Sequence, residues 1–203
     1  MVMKPKVEFL FDFGSPNAFL ARRVVPDIEK RTAVAFELVP VLLGGIFKAT
    51  GNQSPVAAFG HIKNKLAYET LEMDRFMKRH HITDFKMNPF FPVNTLGLMR
   101  MAVAAQNEGI LRAFMDAMFH HMWVEPKKMD DPEVAKAALA ESGFDPALLE
   151  RAQAPEVKAK LIANTESAVA RGAFGIPTVF VGGEIYFGKD RLRDVEEAII
   201  AAT

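Results

Sequence analysis

Two residue groups, far apart in the chain, have the types and settings for chemistry. Ser15 follows an apolar, strand-like run from Val7 to Phe13 and precedes Pro16, the residue best suited to the first turn of a helix. A hydroxyl at a strand-to-helix turn can donate to, or accept from, a group held over the helix N-terminus. There, unpaired N–H groups and the helix dipole favour an anion. Far downstream, Gly175-Ile176-Pro177-Thr178 leads into a second strand-like run, Val179-Phe180-Val181. The chain has no cysteine, so the anion is not a thiolate of its own. A bound thiolate is the natural replacement.

The lack of cysteine also excludes structural disulfides, thiolate metal sites and dithiol redox chemistry by the chain itself. No Ser–His–Asp order or nucleophile-elbow motif accompanies Ser15, so it does not read as an acyl-transfer nucleophile. His80-His81 and His120-His121 are adjacent pairs. Neighbours on a helix diverge by about 100° and do not converge on one ion, and no zinc-type carboxylate–histidine pattern accompanies them. They read as surface or packing residues, and no metal is expected.

The elements that must position these groups are α/β at both ends and helical between. From Pro16 to about Arg31, Leu20, Val24 and Ile28 recur every four residues as one helical face. Pro26 interrupts that face, which predicts a kink or an early end. Val34, Phe36 and Leu38 then alternate as a short strand would. This strand–helix–strand order fits a parallel βαβ unit with a right-handed crossover. Between Pro55 and Gly172 the signals are helical: Pro55, Pro132, Pro146 and Pro155 suit first-turn positions, with Asp131 and Asp145 as N-caps. Asn94-Thr95 opens a further helix, and Asn88 to Pro92 reads as a loop whose aromatics pack inward. Thr178–Val181, Gly182-Gly183 and Glu184–Phe187 read as a tight hairpin, closed by a helix with Leu192, Val195 and Ile199 facing in. The early βαβ and late ββα make one sheet if the middle is an insertion, which is the thioredoxin layout interrupted by helices. In that layout Ile176-Pro177 approaches Ser15. A cis proline there presents the backbone of Ile176 to an extended peptide, whereas Pro177 taken alone reads as a trans turn.

At 203 residues, half of them hydrophobic, the chain can bury a full core. Its 25 basic and 25 acidic residues cancel, and no basic stripe marks a nucleic-acid partner. Glu8 and Asp12 interrupt the first apolar stretch too early for a secretory signal, and no run approaches the roughly 20 apolar residues of a membrane span. A cytoplasmic protein with no membrane or nucleic-acid partner is expected.

Five landmarks run in order across nearly the whole chain: Phe11-Asp12-Phe13-Gly14-Ser15-Pro16-Asn17-Ala18-Phe19-Leu20; Thr50-Gly51-Asn52 with Lys65-Leu66-Ala67-Tyr68; Phe91-Pro92-Val93-Asn94; Gly172 to Thr178; and Phe187-Gly188-Lys189-Asp190-Arg191. With them the chain resembles the 2-hydroxychromene-2-carboxylate isomerases and, more distantly, the kappa-class glutathione transferases, both in the DsbA-like branch of the thioredoxin fold. Glu72 stands where that pattern usually has Asp, and Phe19 where Tyr is common.

The resemblance implies an α/β, thioredoxin-like fold with a large all-helical insertion: residues 1–50 and 173–203 form the thioredoxin-like part, and 51–172 the insertion. It implies bound glutathione, with Ser15 on the sulfur at the turn it shares with Pro16 and Asn17. Asn52 would hold the tripeptide, and Ile176, beside Pro177, would pair through its backbone. Lys189 and Asp190 would meet the γ-glutamyl end, and Lys65 the glycyl end or a substrate carboxylate. The implied reaction is glutathione-dependent cis–trans isomerisation of a small aromatic oxo-acid such as 2-hydroxychromene-2-carboxylate, in the breakdown of aromatic compounds, by an enzyme that commonly dimerises. A kappa-like transferase that conjugates electrophiles, and a DsbA-like shell that binds without catalysis, are the alternatives.

Each of these residues also has a plainer reading. Ser15 and Asp190 suit helix caps, Asn52 a turn after Gly51, and Lys65 a solvated helix face. Met99, Met101, Met115, Met118 and Met122 read first as core filler, with Phe47, Phe90 and Trp123 as further candidates for an apolar pocket wall. Arg22 and Arg100 are carboxylate partners by type alone.

Overall fold

The computed structural model describes residues 4–203. Four short strands form one mixed sheet in the order β2-β1-β3-β4: β1 (Val7–Phe11), β2 (Phe36–Pro40), β3 (Thr178–Val181) and β4 (Glu184–Phe187). β1 pairs in parallel with β2, Val7 opposite Phe36, and antiparallel with β3, Val7 opposite Val181. The two central strands are nearly all buried, whereas β4 lies at the edge and is mostly exposed. The hairpin turns on Gly182 and Gly183, both at positive φ, where a side chain would be strained.

The parallel β1–β2 pair needs a crossover, and helix α1 (Pro16–Thr32) supplies it. The helix does not end at Pro26 but runs on through it to Thr32. Proline removes one backbone hydrogen bond; the fully buried Leu20, Val25 and Ile28 hold the helix on both sides of the gap. Strand β2 starts two residues later than the alternation suggested, because the Val34 N–H turns to Thr32 Oγ1.

Helices α2 (Leu43–Thr50), α3 (Pro55–Phe59) and α4 (Lys63–Arg79) follow β2, and α5 (Leu96–Asn107) and α6 (Leu111–Trp123) form the middle. Next come α7 (Pro132–Glu141), one-turn α8 (Leu148–Arg151), and α9 (Pro155–Ala170). A 3₁₀ turn at Lys189–Arg191 leads into α10 (Leu192–Ala201). Asp131 caps α7 by accepting from the Glu133 N–H. Asp145 accepts from the Ala147 N–H ahead of α8, which leaves Pro146 in the turn before that helix. α3 has a cap that the sequence did not single out, Ser54 accepting from the Ala57 N–H.

The sheet separates two sets of contacts. Glu8, Leu10, Glu37 and Val39 share a polar groove with Gln106 of α5 and Asn164 of α9. Alternation sends Phe9 and Phe11 the other way. There the rings of Phe11, Phe13 and Phe119 meet at centroid distances of 5.0–6.1 Å, in tilted or edge-on contacts that add to plain burial. α10 packs on α1 and on β3. The five candidate methionines are all buried core residues. Trp123 is also core rather than pocket wall: it is fully buried and its Nε1–H donates to the Phe13 carbonyl at 2.9 Å. In the 88–92 loop only part of the inward packing holds. Phe91 lies against Trp123, but Phe90 is 49% exposed, since Asn88 Oδ1 takes the Phe90 N–H and turns the chain outward.

Glu8 on β1 accepts two hydrogen bonds from Arg171, at 3.1 and 2.6 Å. Chiefly through Arg171, its carboxyl is held below the usual range. A depressed folded-state pKa contributes stability above the unfolded pKa, here near 4.5, and loses it as pH falls through the lower folded value. Urea unfolding across a pH series is therefore expected to show a native-over-Glu8→Gln stability margin at neutral pH that shrinks under acid conditions.

Candidate functional site

Ser15 is the N-cap of α1, and it is buried. Its Oγ accepts from the Ala18 N–H at 3.1 Å and donates to the Ile176 carbonyl, also at 3.1 Å. The two groups singled out in the sequence, 161 residues apart, are thus in direct contact. The Ile176–Pro177 peptide bond is cis.

The turn that carries Ser15 is held from beneath by a carboxylate. Asp12, fully buried, accepts from the Gly14 N–H at 2.8 Å, the Leu43 N–H at 2.7 Å and Thr95 Oγ1 at 2.7 Å. Burial pushes its carboxyl above the ordinary range, and the three hydrogen bonds pull the other way. A Cβ at Gly14 would stand 3.3 Å from both Asp12 Oδ1 and Thr95 Cγ2, a tight fit that those two side chains would have to give way to accommodate. Sequence reasoning passed over Asp12 and Thr95. The signal available was a carboxylate flanked on both sides by phenylalanine, Phe11 and Phe13, at the end of a largely apolar run.

The Ile176 loop collects further residues. Asn52, after the α2 C-cap Gly51, donates from Nδ2 to the Phe174 carbonyl at 2.7 Å. The Gly188 N–H donates to the Pro177 carbonyl at 2.9 Å, which sets Lys189 and Asp190 just beyond the loop. Lys189 is buried, with its ammonium 2.6 Å from Asp190 Oδ1 and over the Phe76 ring of α4. Glu72, one turn earlier on α4, has its carboxyl lowered chiefly by Arg75, with Lys189 contributing. Gly175 leaves room for the Phe187 ring, which a Cβ would meet at 2.8 Å. Phe187 in turn packs against the exposed Phe174, the ring centroids 4.5 Å apart and the planes tilted by 46°.

Ser15, Pro16, Asn17, Asn52, Ile176, Pro177, Lys189 and Asp190 therefore gather around the α1 N-terminus and the Ile176 loop. Lys65 stands apart: its ammonium sits 4.2 Å from the Phe59 ring centroid and 3.6 Å from Glu69. It lies two helical turns, about 10 Å, before Glu72 along α4. Asn17 carries an unpaired feature. Its Oδ1 is buried with no hydrogen-bond partner among the described residues, a state that needs an explanation in a native site.

The histidine pairs do not converge. His120 faces Glu125 at 3.6 Å, while His121 is buried with Nε2 2.8 Å from Ser142 Oγ, and the two rings stand at 84°. Among the described residues no group of three or more His, Asp or Glu is placed to hold a metal ion.

A family model described as a DSBA-like thioredoxin domain matches residues 6–200. The chain belongs to that family. Among curated relatives of this DsbA-like chain, the 2-hydroxychromene-2-carboxylate isomerase of Sphingobium xenophagum is 25% identical over 202 residues, covering 98% of this chain and 100% of the relative. Glutathione S-transferase kappa 1 of Homo sapiens is 28% identical over 203 residues, covering 92% and 87%. Among solved structures, a 2-hydroxychromene-2-carboxylate isomerase superposes with a TM-score of 0.81 at 23% identity, covering 96% of this chain and 94% of that one. At that identity the likeness is one of fold, and the fold is DsbA-like thioredoxin with its helices inserted between the two ends of the sheet. No helix among the described residues is long and apolar enough to cross a membrane.

Asp12 provides the test of the scaffold. In Asp12→Asn, one amide N–H must face either the Gly14 or the Leu43 N–H. Leaving buried donors unpaired costs about 1–3 kcal/mol. Chemical denaturation is expected to show a loss of that size with an unchanged m-value.

Proposed function

We propose that the protein is a glutathione-dependent cis–trans isomerase of an aromatic oxo-acid of the 2-hydroxychromene-2-carboxylate type. The observation that carries this reading is the contact of the Ser15 hydroxyl with the Ile176 carbonyl at a helix N-terminus, in a chain that has no thiol of its own. The named relatives support it at the level of family.

The residues present fit a γ-glutamyl tripeptide. Asn17 Oδ1 is a buried acceptor awaiting a donor, Ile176 offers backbone groups at the mouth of the loop, and Lys189 with Asp190 offers both charges for an α-amino acid end. Lys65, two turns along α4, is the residue for a more distant carboxylate. When bound, glutathione supplies a nucleophilic thiolate for reversible conjugate addition, which converts a fixed double bond into one that rotates.

The protein's part is to make negative charge cheap at that point. The Ser15 hydroxyl can turn about its Cβ–Oγ bond from the Ile176 carbonyl to donate to a sulfur, while Oγ goes on accepting from the Ala18 N–H. One neutral hydrogen bond is then exchanged for a charge-assisted one, roughly twice as strong. The α1 N-terminus adds its dipole in the same direction, so a thiol with an ordinary pKa near ~8.5 is favoured as thiolate. The exposed Phe174–Phe187 pair beside the loop gives an aromatic ligand an apolar surface to lie on.

The human relative's name supports a second reading, a transferase that consumes glutathione. One assay separates the two: conversion of 2-hydroxychromene-2-carboxylate followed by absorbance, with and without glutathione, while the free thiol is counted. Glutathione-dependent conversion with the thiol undiminished is the expected result. Thiol loss with electrophiles, and no conversion, would favour the transferase. Ser15→Ala is expected to slow glutathione-dependent turnover about 100-fold, the effect of removing one preorganised donor. Its stability should fall by only about 1 kcal/mol, from the lost cap. An undiminished rate in that variant would take Ser15 out of the mechanism.

A further inference from the structure

Of the five histidines only His121 is buried, at 2% exposure. It lies in the last turn of α6. Its Nε2 is 2.8 Å from the Oγ of Ser142, the C-cap of α7. Its Nδ1 is buried with no hydrogen-bond partner among the described residues. The mechanism makes no use of this contact.

A neutral imidazole has one donor nitrogen and one acceptor nitrogen. With the proton on Nε2 the ring donates to Ser142 and leaves only a bare lone pair unused. A second proton would put a positive charge and another N–H into the same enclosed place. Burial is the largest influence against that charge, and Lys127, in the loop after α6, adds to it, as does His120 on α6 itself. Glu141 of α7 favours the charge but is committed to an ion pair with Lys127. The pull of the Ala138 carbonyl, also on α7, is the weakest of these influences. Together they hold the imidazole below its ordinary value of 6.5.

The residues around His121 tie the inserted helices to the Ser15 turn. Its carbonyl accepts from the Lys127 N–H at 2.9 Å. Asn88, buried, donates from Nδ2 to the Met122 and Lys127 carbonyls, each at 3.1 Å. Two residues beyond His121, the Trp123 indole donates to the Phe13 carbonyl. A ring that has to leave α7 to pick up a proton therefore pulls on the helix end that holds this turn.

We propose that the His121–Ser142 contact is a pH-sensitive latch on the Ser15 turn. Closed around a neutral ring, it fixes the end of α6 and, through Trp123, the turn itself; in mildly acidic medium it opens and both loosen. An open ring titrates at the ordinary value of 6.5, and the closed ring lower. The latch is thus at full strength above that value and weakens as pH falls from there towards the closed-state value. Each unit between the two values weakens it about tenfold. None of this depends on what the Ser15 site binds.

The test is NMR of the whole protein between about pH 7.5 and about pH 5. The His121 ring signals are expected to titrate with a midpoint below 6.5. The Trp123 indole N–H is the only indole in the chain. Corrected for intrinsic rates, its hydrogen exchange should speed up on acidification, by about tenfold per unit of that lowering. Low urea should leave this exchange unchanged, since a local opening exposes little surface. His121→Gln, which can still reach Ser142 and does not titrate, should abolish the acceleration. Four results would overturn the proposal: a midpoint at or above 6.5, no acceleration, the same acceleration in folded His121→Gln, or a urea slope equal to that of the β1 core amides. If His121→Gln does not fold, Ser142→Ala decides. Its indole should exchange about fivefold faster at neutral pH, the effect of one lost hydrogen bond, and an unchanged rate there would equally sink the latch.

Discussion

The Asp12 carboxylate is the point on which the site's geometry rests. It ties three segments that are remote in sequence: the β1–α1 turn through Gly14, the start of α2 through Leu43, and the start of α5 through Thr95. An acid this buried is costly unless it is hydrogen-bonded, and here the partners come from the β1–α1 turn and from the starts of two helices. The cost and its compensation come as one unit. If one of the three segments moves, an acceptor is stranded in the core, so the turn that presents Ser15 stays registered against helices up to 83 residues away.

On that base the Ser15 hydroxyl does two things at once. Its lone pair caps α1 and its proton goes to the Ile176 carbonyl. Capping and ligand binding are often set against each other as explanations for a serine before a helix. Here they use different sides of one oxygen, so the cap can persist while the proton changes partner. The loop opposite is held by its own bonds, Asn52 to Phe174 and Gly188 to Pro177, which leaves the proton of Ser15 as the movable part.

Much of this was legible in the chain because it depends on local rules. The period-four face of α1, the Gly-Gly hairpin and the capping aspartate at 131 each follow from a few neighbouring residues. Ser15 and Ile176 could be brought together from sequence because the βαβ and ββα units, joined in one sheet, give the thioredoxin layout, in which the two loops meet. What escaped notice depends on distant partners. The role of Asp12 requires knowing that Thr95 and the Leu43 N–H arrive beside it, and no periodicity encodes that. The continuation of α1 through Pro26 is likewise decided by tertiary burial of Leu20, Val25 and Ile28, which outweighs one lost backbone bond. Lys65 was named by motif, yet the Phe59 ring and Glu69 decide where its ammonium sits. The burial of Arg22 beside Asp116 was equally out of reach, because no local pattern sets that arginine against α6.

Trp123 is the only tryptophan in the chain, and its indole N–H is bonded to the Phe13 carbonyl, two residues before Ser15. Phe85 is stacked on it at 6.0 Å. The molecule therefore has a single indole fluorophore at the junction where the inserted helices grip the turn. Its emission colour reports whether that carbonyl is still bonded and that ring still covered. An optical signal from one indole thus distinguishes a protein whose Ser15 turn is merely unliganded from one whose turn has come loose.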